Sequence, residues 1–593
     1  MNYKLNLDEN QQEKTSFFKL AKMLYLYIKG SRIQILIAFV FLLINSASVV
    51  VAPFIIGDVT NKYLPVGDKD NLLRSVLILG AIYIVGTIAS YYQILTMGRV
   101  GQAILFRVRN AIFHKVQSLP LQFFNLNKSG DLISRINNDT EKLNQAFSET
   151  ILRFAGNVVV IIGIGIVMVI LNPTLGLIAW GSLLSMLVLT GLLSAWIRGR
   201  NNSSLQKLGE LSAEIQESLS NFKVTIVFNR RNYFKDSFAK ANISNQGAAT
   251  MAGIANNVLT PIYTYAGTIG SMLILVAGIQ LLILDKVSVG SIPEIGTLIT
   301  FILYSSSFFN PLRELGELFS QIQTALASWA RINKLLRLEN NLEQIETSES
   351  KYPDALVHFD NVSFGYSKDT MVLKDINLDL NAGKTYALVG PTGGGKSTTA
   401  SLMARLYDAS AGKIFFKGRD IRSYAPDELA NDIGFILQEP FLFSGSLYEN
   451  IKYGNSELEK LDEDGLLEKL TAMKLGNLLA RFGDGLKTII NPGAENISLG
   501  QRQLIAFVRA LLRSPKLLIL DEATANIDTV TEQLLEDILQ KLPAETTKVI
   551  IAHRLNTIEN ADQIFFISGG TVEEPLDFKS ALNLLNTSGN SKS

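Results

Sequence analysis

The chain has no cysteine. Disulfides, thiolate metal sites and a cysteine nucleophile are therefore excluded. Histidine is almost missing too, with three copies, and the net charge is only +1. That balance removes any global electrostatic case for nucleic acid. Charged residues of either sign are scarce at 18%, while hydrophobic residues reach 47% of 593. The length exceeds what one compact domain holds, and the composition points towards a membrane. Residues 1–32 are polar and mixed in charge, so no cleavable signal peptide is expected there.

Long uncharged runs are plentiful. They lie at Ile33–Ile56, Val76–Leu95, Phe154–Leu171, Leu175–Ile197, Val258–Leu284 and Ile295–Leu312. Each is near or above the roughly 18 residues that suggest a membrane span. Each large apolar residue favours insertion by about 0.3–0.6 kcal/mol. No acid or base falls within these spans, which argues against a buried proton relay. Asn45, Asn157, Gln280 and the tyrosines Tyr83, Tyr91, Tyr92, Tyr263, Tyr265 and Tyr304 either line a cavity or pack between helices.

The connections predict orientation. Between the second and third spans stand Arg99, Arg107, Arg109, Lys115, Lys128, Arg135 and Lys142. Between the fourth and fifth stand Arg198, Arg200, Lys207, Lys223, Arg230, Arg231, Lys235 and Lys240. The opposite connections, Gly57–Ser75, Asn172–Thr174 and Asp285–Glu294, are short. The positive-inside rule places the basic stretches and both termini in the cytoplasm. These stretches are helix-permissive and read as membrane helices extended outwards. Each is broken once, at Leu119–Phe124 and at Phe222–Phe228, as an apolar elbow that either docks on something or caps its own turn.

An acidic, polar linker with Pro353 near its end separates two domains. The expected partition is a segment 1–32, a six-helix membrane domain 33–337, a linker 338–354 and an α/β domain 355–593. The second domain centres on Gly390-Pro391-Thr392-Gly393-Gly394-Gly395-Lys396-Ser397-Thr398, which fits the phosphate-loop pattern. An apolar strand precedes it and a helix is expected over Thr399–Leu406. Glycines let backbone N–H groups curl around phosphate oxygens, and the helix N-terminus adds partial positive charge. Lys396 can reach the β- and γ-phosphates, and the Ser397 hydroxyl can ligate Mg²⁺.

Other signals are weaker singly. Tyr366 could stack on an adenine, although a tyrosine in a turn is common. Gln438 ends an apolar strand, where a neutral amide can hold Mg²⁺ or water, or be an ordinary surface residue. Ser498-Leu499-Gly500-Gln501 opens a helix with free N–H groups, either an anion site or a plain cap. Leu517–Leu520 is an unbroken apolar strand, buried on both faces, that ends in Asp521 and Glu522. Adjacent acids there are costly unless metal or substrate needs them. Asp521 would bind Mg²⁺ and Glu522 would polarise the attacking water. His553 ends another apolar strand and can donate to a γ-phosphate, whereas His114 and His358 lack such a setting.

The ordered series resembles the ATP-binding-cassette transporters of exporter type, with the membrane domain fused ahead of the ATPase. The resemblance covers nearly the whole chain. It makes Tyr366 the adenine-stacking aromatic, Gln438 the glutamine loop and Ser498–Gln501 the signature that faces a partner's ATP. Asp521 and Glu522 become the metal-binding and catalytic acids, and His553 the switch histidine. Ala525–Asp528 matches the dimer-contact loop, and the two elbows match coupling helices. There are departures: Leu499 stands where a glycine is usual, Ala525 replaces a serine, and Pro492 occupies a frequent acid position. The resemblance implies ATP and Mg²⁺, a second half-transporter chain (a homodimer by default, a heterodimer otherwise), surrounding lipid, a small hydrophobic or amphipathic substrate and no nucleic acid. It implies a bacterial inner membrane with the ATPase in the cytoplasm. A lipid flippase on the same frame, an ATP-gated channel, or a soluble chromosome or repair ATPase are the alternatives; the six spans count against the last.

Overall fold

The structure is a computed structural model. It describes residues 3, 5, 27–283, 295–340, 342, 344–346, 351–367, 370–521, 529–551, 559–576, 578–581 and 584. The chain divides into two compact units. One holds Leu5–Gln117 and Ser129–Arg337; the other holds Met1–Lys4, Ser118–Lys128 and Leu338–Ser593.

The first unit is built from helices α1 (Arg32–Lys62), α2 (Lys69–Gln117), α4 (Ser129–Leu171), α5 (Pro173–Ser220), α7 (Arg231–Ile283) and α8 (Ile295–Leu336), each long and apolar enough to cross a membrane. Two short helices lie at the breaks in the basic stretches, α6 (Phe222–Val227) within this unit and α3 (Leu121–Leu126) within the other. The long helices outrun the apolar segments that identify them. At 49 residues, α2 is about 74 Å long against roughly 30 Å of hydrocarbon. Large apolar side chains cover much of the outer surface, Ile170 and Leu192 among them, as expected where lipid is the solvent. Inside, Ile164, Met168, Leu183, Phe301, Phe308 and Phe309 form a packed core. Pro53 interrupts the hydrogen-bond ladder of α1, and α8 supplies donors beside it: Tyr304 Oη to Val50 O at 2.6 Å and Thr300 Oγ1 to Pro53 O at 3.2 Å.

Helix α4 is not a uniform α-helix. It passes through two π-helical turns, Arg135–Asp139 and Ala146–Thr150. At the first, the Ile136 carbonyl accepts from Thr140 Oγ1 at 2.5 Å and from Arg109 Nε of α2 at 3.3 Å. Side chains thus bond a carbonyl that the wider turn presents. The same turn buries Asp139, whose carboxylate pairs with Arg331 of α8 (Nε to Oδ2, 2.8 Å).

The second unit carries two sheets. An antiparallel sheet, in order β2-β1-β4-β5, comprises β1 (Val357–Phe364), β2 (Leu373–Leu380), β4 (Ala411–Phe416) and β5 (Arg419–Asp420). A six-stranded sheet, in order β12-β11-β3-β10-β9-β6, comprises β3 (Thr385–Val389), β6 (Ile433–Ile436), β9 (Leu517–Asp521), β10 (Thr547–Ile551), β11 (Gln563–Ser568) and β12 (Thr571–Leu576). A two-residue pair, β7 (Gly445–Ser446) and β8 (Ile489–Ile490), completes the set. β3, β6, β9, β10 and β11 are parallel, so their carboxyl ends share one edge. Burial on both faces accounts for their apolar runs. Part of the polar linker lies on this unit, with Lys351 N donating to Gly418 O and Ile345 N to Arg422 O.

Candidate nucleotide site

The site lies where the parallel strands end, the usual ligand edge of an open α/β sheet. In register, Ile551 pairs with Leu388 on one side and with Asp521 on the other, and Ile436 pairs with Leu520. The phosphate loop, Gln438 and Asp521 therefore start from one edge. Helix α9 (Lys396–Met403) opens inside the motif, three residues earlier than the expected Thr399, and stops at Met403 where Leu406 was expected. Gly395 takes the N-cap position with φ +117°, and Arg405 adopts φ +50° just past the helix. The early start brings Lys396, Ser397 and Thr398 into the first turn.

The loop is closed to side chains at Gly390, Gly394 and Gly395. A Cβ on Gly390, where φ is +140°, would stand 2.0 Å from Ile567 O. One on Gly395 would stand 2.6 Å from Leu373 Cδ2. Thr392 and Gly393 are exposed at the tip of the loop, and Gly394 N donates back to Pro391 O at 3.0 Å. The Lys396 ammonium folds back on the loop, donating to Gly390 O at 2.8 Å and Pro391 O at 3.0 Å. A phosphate in the loop would offer that ammonium better acceptors than these carbonyls. Ser397 Oγ donates to Asp521 Oδ1 at 3.3 Å. A hydroxyl and a carboxylate side by side are hard oxygen donors of the kind Mg²⁺ takes, so the residues fit that ion. Gln438 is exposed, and Gln503 Nε2 lies 3.5 Å from its backbone oxygen.

Tyr366 is 42% exposed, two residues past β1, and its hydroxyl meets Thr398 Oγ1 at 3.1 Å. Tyr407 stands edge-on to it at 5.2 Å. Burial pushes the Tyr407 phenol up from its usual range, the Tyr366 phenol adds to this, and a hydrogen bond from Asn125 opposes it. Both residues meet helix α3, one by its phenol and one by its backbone: Asn125 Nδ2 donates to Tyr407 Oη, and Gln122 Nε2 donates to the Tyr366 carbonyl oxygen at 3.1 Å. Neither Asn125, Gln122 nor Tyr407 stands out in the sequence. The apolar elbow was the available signal, and its polar residues make these hydrogen bonds.

The signature residues form their own cap. Helix α10 (Leu499–Arg513) has Ser498 as N-cap, which accepts from Gln501 N at 3.2 Å while Gln501 Oε1 accepts from Ser498 N at 3.0 Å. The Ser498 hydroxyl hydrogen remains available to an acceptor outside the helix. Leu499 is the first helical residue, and Gly500 packs beside Thr531. Arg509, on the same helix, was not anticipated either. It donates to Asn450 O and Oδ1 and to Phe441 O, and burial lowers its pKa to about 10. It ties the segment after Gln438 to α10. Glu522, His553 and Ala525–Asp528 lie outside the described residues.

Residues 35–312 match the family described as ABC transporter transmembrane region, and residues 373–525 match the family described as ABC transporter. The chain is 31% identical over 566 residues to the uncharacterized ABC transporter ATP-binding protein YfiC of Bacillus subtilis (strain 168), covering 93% of this chain and 90% of that one. The chain is an ABC transporter. ABC transporters of its exporter type carry six membrane helices ahead of an ATP-hydrolysing domain, and this one does the same. It is an integral, multi-pass membrane protein and a transport ATPase. It is 30% identical to the fatty acid ABC transporter ATP-binding/permease protein of Mycobacterium bovis (strain ATCC BAA-935 / AF2122/97), over 84% of this chain and 78% of that one. Its fold matches a solved bacterial Atm1-family ABC exporter with ATP bound, with a TM-score of 0.76 and 22% identity, covering 95% of this chain and 98% of that one.

Proposed function

We propose that the chain is one half of an exporter that uses ATP to move hydrophobic or amphipathic small molecules outwards by alternating access. The observation that carries this is a phosphate loop, Ser397 and Asp521 at one sheet edge, in a chain that also supplies six membrane helices. Gly390–Thr398 cradles the phosphates, Lys396 neutralises them, and Tyr366 stacks on the adenine. Ser397, Gln438 and Asp521 hold Mg²⁺, which supplies charge neutralisation on the phosphates. Glu522 orients and polarises the attacking water, and His553 donates to the γ-phosphate.

The working unit is a dimer in which Ser498, Leu499, Gly500 and Gln501 face the other chain's ATP. Helix α6 supports a second chain: Phe222, Val224, Val227 and Phe228 at its tip are all exposed, an apolar patch that a partner would cover. A homodimer is the default, and a heterodimer is favoured only if Leu499 proves to weaken the signature. The basic stretches put the ATPase in the cytoplasm, and bacterial relatives support the inner membrane. The fatty-acid relative supports a lipid-like cargo, so a flippase is the second reading.

The test is the full-length chain in inside-out vesicles. ATP-dependent accumulation of a fluorescent amphipath, with purified protein at dimer mass, is expected. A fully active monomer, or ATP hydrolysis with no amphipath moved into the vesicles or between leaflets, would overturn the reading. A dimer that hydrolyses poorly until Leu499→Gly is introduced, or until a second subunit is co-expressed, selects the heterodimer.

A further inference from the structure

The parallel sheet of the ATPase unit has a second edge. Asn431 stands two residues before β6 and Ser514 three residues before β9, so both lie at the amino ends of the strands. The phosphate loop and Asp521 lie at the carboxyl ends, and the five residues of β9 keep the two edges about 16 Å apart. A cavity of about 370 Å³ opens at the amino edge, lined by Asn431, Ser456, Glu457, Lys469, Arg513 and Ser514 among others. At about 30 Å³ per water it has the volume of roughly twelve waters. It also adjoins the carboxyl end of α10, about 22 Å along that helix from Ser498. The cavity is therefore separate from the nucleotide site and from the signature residues.

Its wall holds two cations without partners. Arg513 and Lys469 are both half-buried, and among the described residues neither side chain makes a hydrogen bond or an ion pair. Burial lowers the pKa of Arg513, and no carboxylate opposes that. Each stands in the last turn of its helix, Arg513 in α10 and Lys469 in the helix Glu463–Ala472. A basic residue there commonly bonds the last carbonyls. Here those carbonyls are taken. Leu511 O accepts from Ser514 N, Leu512 O from Asn455 Nδ2, Lys469 O from Met473 N and Thr471 O from Lys474 N. Glu457, the acid of the lining, is exposed and pairs with neither cation. Gly454, with φ +75°, carries the turn past the guanidinium, since a Cβ there would stand 3.8 Å from Arg513 Nη1. A guanidinium and an ammonium bordering one space, with the Ser456 and Ser514 hydroxyls beside them, call for an anion with several oxygens. A charge near −2 answers two cations, and the guanidinium fork matches a phosphate bidentately.

We propose that this cavity binds a phosphate group, held by Arg513 and Lys469, with room beside it for a small organic body. Its occupant touches the far end of the helix that carries Ser498 at its start. Two sources supply the group, inorganic phosphate and a small phosphate monoester. The chain lacks cysteine, so Ser456→Cys places a single reporter in the wall. Its rate of reaction with a thiol reagent is measured on the full-length protein in nanodiscs at constant ionic strength, with glycerol 3-phosphate and inorganic phosphate as probes. Both should slow the reaction saturably, and succinate should not. Tighter protection by glycerol 3-phosphate selects the monoester, and equal protection selects free phosphate. Arg513→Gln and Lys469→Gln should each raise the half-protecting concentration about tenfold or more, the scale of a lost charged hydrogen bond. The two lie on different helices, so a folding defect in one variant leaves the other to decide. Lys396→Ala should leave protection unchanged, because the phosphate loop is at the other edge. Equal protection by succinate, no saturable protection, an unchanged profile in both glutamine variants, or protection lost in Lys396→Ala would each overturn the proposal.

Discussion

Asn125 Nδ2 donates to the phenol oxygen of Tyr407 at 2.6 Å. Tyr407 in turn stands edge-on to Tyr366, whose hydroxyl meets Thr398. One ring therefore separates the tip of the first long hairpin from the candidate adenine platform. A neutral hydrogen bond of this kind contributes about 0.5–1.5 kcal/mol. Asn125→Ala should raise amide exchange across Leu121–Leu126 by about two- to tenfold, and Tyr407→Phe should do the same. The double variant should add little to either, because both remove one bond. Fully additive effects would show that the two side chains act separately.

Lys396→Ala should weaken nucleotide binding itself. The lost ammonium makes charge-assisted hydrogen bonds of about 1.5–3 kcal/mol, so affinity should fall about ten- to a hundredfold. Titration of a fluorescent ATP analogue against the full chain checks this. An unchanged affinity would remove Lys396 from the phosphate site.

Glu522→Gln should leave ATP binding intact and lower turnover by roughly 10²–10⁴. The amide keeps the shape and loses the proton-accepting oxygen. Single-turnover hydrolysis separates the two effects. Near-normal hydrolysis would hand the base role to another group, His553 first.

The absence of cysteine makes topology directly measurable. A cysteine at Asp68 should react with an impermeant thiol reagent on intact cells, and one at Lys128 should react only after lysis. The reverse pattern would overturn the orientation drawn from the basic stretches.

The six membrane helices were legible because each holds an unbroken apolar run, and α5 and α8 stand where those runs placed them. The ATPase strands were legible for the same reason: burial on both faces removes polar residues until the strand ends, and Asp521 marks that end. What was not legible depends on contacts far apart in sequence. Residues Ser118–Lys128 group with the ATPase unit through Asn125 and Gln122, whose partners lie more than two hundred residues away. Arg509 became informative only once Phe441 and Asn450 were beside it. The start of α9 at Lys396 follows from the left-handed Gly395, a conformation that helix propensity does not encode. Polar span residues such as Asn45 and Asn157 were visible, but their meeting Glu314 and Gln93 around one cavity was not.

The two π turns of α4 change how that helix must be read. Each places one residue more in its turn than an α-turn does, and one residue is worth about 100° of rotation. A helical wheel drawn from Ser129 to Leu171 at constant pitch is therefore out of phase by about 100° after Asp139 and about 200° after Thr150. The side of α4 that continues in line from Leu132 is not the side that reaches Ile164. Deleting one residue within Arg135–Asp139 would therefore let that turn close to α pitch and leave everything beyond it, Arg153 and Asn157 included, facing as it does now, in the cavity between α1, α2, α4 and α8, whereas inserting a residue elsewhere in α4 would turn them away.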